Sequence, residues 1–164
     1  MTDPRNAREA MFRAALDSAN QTMNAEGGIE TMILAHNAAG RLYAYNLSSA
    51  TAPVLKDAAA ASIGVEMRRN NVVAYTMMSE AWFVETQTAS QPVDQEAGIS
   101  QHPDRIEVLV LAVSDRDGDE VRTYRLLRNK RGRFVRFESL PLPDDESVTA
   151  EGRFLGLLRQ PVMH

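Results

Sequence analysis

The spacing of apolar and polar positions changes several times along this chain. From residue 3 to 24 the apolar residues recur at helical intervals. Met11, Ala14, Ala15, Leu16, Ala19 and Met23 form one stripe, with Arg8, Glu9, Arg13 and Asp17 largely outside it. Asp3 can cap this helix, Pro4 fits the first turn, where its missing N–H costs nothing, and Gly27-Gly28 end it. "IETMILAHNAAGRLYAYNL" then reads as a β-hairpin, Ile29 to His36 and Arg41 to Leu47, around the turn signal "NAAG". A second helix is predicted from Pro53 to Arg69, capped by Thr51. Its alanines and Gly64 suit close packing on a sheet.

After Asn70-Asn71 the period becomes two. "VVAYTMMSEAWFVE" predicts a strand from residue 72 to about 85, and "RIEVLVLAVS" a second one. The turn "DRDGD" leads to "EVRTYRLLR", and "NKRG" leads to "RFVRFESL", giving two further strands. Between the first two of these strands, residues 86–104 are polar, contain two prolines and show no period, which predicts a long mobile loop. A short helix is expected from Ser147 to Leu158, weakened by Gly152 and Gly156. The order α-β-β-α-β-β-β-β-α predicts a single α+β domain spanning residues 1–164, an antiparallel meander flanked by helices. In element order it resembles the profilin-like and roadblock architectures, a likeness that implies a protein-interaction module.

The strand from residue 72 is apolar on both alternations. Val72, Ala74, Met78, Trp82 and Val84 lie on one, and Val73, Tyr75, Met77, Ala81 and Phe83 on the other. Residues 106–113 behave likewise. An antiparallel strand with one wet face alternates cleanly, so these two strands are expected to be central and covered on both sides. The two strong helices are expected to share one face. A partner subunit would then complete the other, which predicts a homodimer or larger assembly.

Composition narrows the chemistry. The chain has 164 residues, 44% hydrophobic and 24% charged, with a net charge of −4 and no cysteine. That balance is ordinary for a globular domain, offers no global attraction to nucleic acid or an anionic membrane, and removes disulfides and thiolate chemistry. No signal peptide or membrane span is read, so a cytoplasmic protein is expected. The three histidines, His36, His102 and His164, are not spaced as metal ligands. "DRDGDE" has glycine at its fourth position, whereas a calcium loop needs it at the sixth. No cofactor and no metal are expected.

Two clusters remain. Arg122, Arg125, Arg128, Lys130, Arg131, Arg133 and Arg136 are interleaved with Tyr124, Phe134 and Phe137, a combination that single-stranded nucleic acid could use. Arg128, Lys130, Arg131 and Arg133 are its candidate contacts, against the alternative of a solvated hairpin that blunts a sheet edge. The second cluster joins "SEAWFVE" to "HPDRIEVL", where Glu80 and Glu107 sit inside apolar strands and need partners, with Arg105 the nearest cation. Glu80, Trp82, His102, Asp104, Arg105 and Glu107 are the partner-binding candidates. The expected arrangement is an ion-pair network where the sheet enters the core. A hydrolase-like enzyme using Glu80, His102, Asp104 and Glu107 is the alternative, because paired carboxylates beside a histidine can do acid–base work. This strand pair resembles that of uncharacterised bacterial and phage-associated proteins, which implies no particular activity. The leading expectation is a small, non-enzymatic interaction or assembly domain.

Overall fold

A computed structural model describes residues 3–50, 52–83, 105–141 and 156–159. Its elements are α1 (Pro4–Glu26), β1 (Met32–Asn37), β2 (Leu42–Asn46), α2 (Pro53–Arg69), β3 (Val72–Phe83), β4 (Ile106–Asp115), β5 (Asp119–Arg128) and β6 (Phe134–Ser139). The predicted 86–104 loop, with His102 and Asp104, lies outside the described residues, as does most of the expected final helix. Where that helix was expected to end, residues 156–159 form a turn. The fold is α+β, and among the described residues every strand pair is antiparallel in one six-stranded sheet of order β2-β1-β3-β4-β5-β6.

Local chemistry explains the boundaries. The Asp3 carboxylate accepts from the Arg5 amide at 3.0 Å, and Gly27 closes α1 at φ +78°, donating to the Met23 carbonyl at 2.9 Å. At the start of α2 the cap position is held by Ala52, whose side chain has no acceptor; the Thr51 predicted for that role lies outside the described residues. Asn71 turns the chain from α2 into β3 at φ 56°, a conformation asparagine tolerates better than most residues.

Register shows which side chains share a face. Ile33 faces Met77, and Met77 faces Ala112. Leu34 faces Thr76, and Met78 faces Leu111. The two alternations of β3 therefore belong to two cores, and β3 and β4 are central as their pattern predicted. In one core Phe12, Ala15, Ala19 and Met23 of α1 pack with Met78, Leu109, Leu111, Val113 and Leu126. In the other, Ala60, Ile63 and Met67 of α2 pack with Ile33, Tyr75, Met77, Ala112 and Leu157.

The helices thus cover opposite faces, correcting the expectation that both lie on one. The crossover from β2 to β3 carries α2 over β1 on the side α1 does not use. The idea that a partner subunit must cover a bare face goes with it. A second correction concerns the α1 stripe. Phe12, outside the predicted stripe, is 1% exposed, whereas Ala14, inside it, is exposed. The segment 156–159 is fastened to the α2 face: the Leu157 amide donates to the Tyr75 hydroxyl at 3.1 Å and Arg68 to the Leu157 carbonyl at 3.0 Å. Burial pushes the Tyr75 hydroxyl above the usual phenol range.

Candidate functional site

The charged shoulder forms where β3, β4 and β5 run side by side. Register sets Trp82 opposite Glu107 and Glu80 opposite Leu109, so Glu80, Trp82 and Glu107 share the α1 face of the sheet. The Glu80 carboxylate accepts from the Ile29 amide at 2.8 Å, tying the chain between α1 and β1 to the middle of the sheet. Glu107 is held by Arg128 of β5 through two hydrogen bonds of 2.6 and 3.3 Å, and the same guanidinium donates to the Gly132 carbonyl at 3.1 Å. The cation on Glu107 therefore arrives from a strand 21 residues further on. Arg105, the cation singled out by sequence, sits 5.0 Å from the centre of the Trp82 ring, in cation–π geometry.

These contacts give each carboxylate a structural occupation. Glu80 anchors a turn, and Glu107 orders the β5–β6 hairpin. A cleft of about 460 Å³ lined by Trp82, Arg105, Glu107, Arg125 and Arg128 adjoins them. Of its charged groups, Glu107 and Arg128 bind each other and Arg105 lies over the Trp82 ring. Among the described residues, no group of three histidines or carboxylates stands together as metal ligands would.

The basic hairpin divides in two. Arg128 is committed to Glu107, while Lys130, Arg131 and Arg133 are exposed on the β5–β6 turn. The Asn129 side-chain oxygen Oδ1 organises that turn, accepting from the backbone amides of Arg131 and Arg133 at 2.9 and 3.1 Å. Phe134 and Phe137 meet in tilted geometry, their ring planes 52° and their centres 4.8 Å apart, and, with Tyr124, pack against the α1 core. The rings that would receive bases are thus partly buried by the fold.

"DRDGDE" is a hairpin turn closed by Asp115, which accepts from the Asp117 and Gly118 amides at 2.8 and 3.0 Å. Arg8 of α1 grips the same carboxylate with two bonds of 2.7 Å, and holds it below the usual carboxylate range. Arg122 does the same to Glu9 and also lies over the Phe12 ring, 4.1 Å from its centre. Both pairs clamp α1 onto β4 and β5.

Sequence reasoning missed the open apolar surface. Beside the first half of α1, a groove of about 420 Å³ is lined by Met11, Ala14, Leu34, His36, Leu42 and Ala44. It adjoins another of about 550 Å³ that reaches Ala7, Val73 and Asp115. Among the described residues, α1 is clamped over β4 and β5 and does not cover the β1–β2 side of its face. Leu42, at the groove's outer wall, is 80% exposed. A second open surface is the outer side of α2, where Val54, Ala58, Ala61 and Val65 recur at helical spacing and are exposed, with Leu55 beside them. The alanines of α2, read as sheet-packing residues, are split: Ala60 is buried, while Ala58 and Ala61 face out. The signal was present in "PVLKDAAAASIGVEMRR", where apolar residues fall on more than one side of the helix, with Lys56, Asp57, Ser62, Glu66, Arg68 and Arg69 scattered among them.

No protein-family model, no curated protein and no solved structure matches this chain. Among the described residues no helix is long and apolar enough to cross a membrane.

Proposed function

We propose that this protein is a small, non-enzymatic assembly domain that works in the cytoplasm as a homo-oligomer. The observation that supports this most is the outer side of α2. A helix with apolar residues on both its buried and its open side is one made to be covered twice, once by its own sheet and once from outside. Val54 is 77% and Val65 49% exposed, and both lie on one stripe with Ala58 and Ala61. A hydrolase reading lacks comparable support, since Glu80 and Glu107 are engaged by a backbone amide and a guanidinium. The nucleic-acid reading keeps the exposed cations Arg125, Lys130, Arg131, Arg133 and Arg136, but its rings Tyr124, Phe134 and Phe137 are partly buried against the core.

Light scattering coupled to size exclusion tests the proposal. A dimer or larger species at micromolar concentration is expected, and a monomer throughout would overturn it. Val54→Glu with Val65→Glu should lower the assembly state of any species larger than a dimer while leaving the circular dichroism spectrum unchanged.

A further inference from the structure

We infer that the dimer within this assembly is closed by the outer edge of β2, which pairs antiparallel with β2 of a second copy about a two-fold axis at Ala44. The inference rests on the assembly reading above and adds the surface and the register.

Backbone direction comes first. Asn37 donates to the Arg41 carbonyl at 3.0 Å and Leu47 to the Thr31 carbonyl at 2.8 Å, so residues 41 and 47 bond inward to β1. With the uninterrupted β1–β2 register, 43 and 45 also bond inward. The N–H and C=O groups of Leu42, Ala44 and Asn46 therefore point away from the sheet. Their spacing is symmetric about Ala44. An antiparallel second strand would meet them as hydrogen-bonded pairs, Ala44 with Ala44 at the axis and Leu42 with Asn46 on either side.

Side chains fit the same axis. Tyr43 of one copy would face Tyr45 of the other, twice, at the non-hydrogen-bonded positions where cross-strand side chains come closest and aromatic pairs contribute most. On the opposite face the exposed Leu42 and Ala44 gain cover. The strand "LYAYN" carries no charge. The flanking Arg41 residues end up six positions apart along the paired strands, roughly 20 Å, beyond the screening length at physiological salt. The far edge of the sheet is built differently. β6 includes Arg136 and Glu138 and is flanked by Arg133, so burying it requires stripping water from charges.

A charge-swap experiment decides the register, because only the axial residue meets itself. Ala44 is exposed, so its replacement leaves the folded monomer intact. Ala44→Lys and Ala44→Glu proteins, each alone, should be monomeric at concentrations where the parent is a dimer. Mixed, they should recover a heterodimer. Amide exchange at Leu42, Ala44 and Asn46 should slow as the parent's concentration rises. If both variants remain dimeric, or if their mixture stays monomeric, the β2 interface is wrong while the assembly reading survives on another surface. A parent that is monomeric throughout the micromolar range overturns both.

Discussion

The two outer hairpins of the sheet are made with the same turn and carry opposite edges. In "NAAG" the Asn37 side chain accepts from the Ala39 and Arg41 amides at 3.1 and 2.9 Å, and Gly40 takes φ +83°. In "NKRG" Asn129 accepts from the Arg131 and Arg133 amides at 2.9 and 3.1 Å, and Gly132 takes φ +77°. The asparagine and the glycine do all the conformational work, so the two residues between them are free to vary. One hairpin places Ala-Ala there and continues into a neutral strand; the other places Lys-Arg and continues into a charged one. Turn geometry and edge chemistry are therefore separate features of this sheet. The basic cluster is better explained as protection of the β6 edge than as a requirement of the turn.

The largest effect is expected where each hairpin enters the core. Ile33 is fully buried and Leu126 is 6% exposed, so Ile33→Ala and Leu126→Ala should each cost about 2–5 kcal/mol in urea unfolding. A much smaller loss for one of them would show that its hairpin is only loosely attached.

Next comes the clamp that ties α1 to the β4–β5 turn. Asp115→Asn keeps the turn's acceptor but removes the charge opposite Arg8, in a pair only 21% and 17% exposed, and should cost about 2 kcal/mol near neutral pH. Because the folded carboxyl titrates below its unfolded value, this contribution is present above about pH 4 and lost as the pH falls through the folded value. The stability gap between parent and variant should therefore close in acid. A gap that persists there would assign the cost to the turn instead of the ion pair.

The turns themselves should respond alike. No atom lies within 4 Å of a β-carbon added at Gly40 or Gly132, so Gly→Ala at either meets only the strain of its left-handed backbone, about 1–2 kcal/mol. Unequal costs would end the equivalence. The smallest effect on stability, within about 0.5 kcal/mol, is expected from exchanging edge chemistry. Leu42→Lys should weaken self-association, and Arg136→Thr with Glu138→Thr should create a second mode of it. Sedimentation velocity would register both.

The amino-acid sequence by itself determined the elements from α1 to β6 and their order, because helix caps, Asn-x-x-Gly turns and the periods of two and 3.6 are local properties. It also marked β3 and β4 as central, since a strand apolar on both alternations has no side to turn toward water. It could not say which face each helix takes, because two apolar alternations look alike until the β2-to-β3 crossover commits α2 to one of them. Nor could it choose Arg128 over Arg105 as the cation on Glu107, or join Arg8 to Asp115 across 107 residues. Those partners are set by strand register, and a shift of one residue would send each side chain to the other face. The open edge of β2 and the groove beside α1 are likewise products of tertiary placement. "LYAYN" reads as an ordinary strand until α1, clamped over β4 and β5, leaves it uncovered.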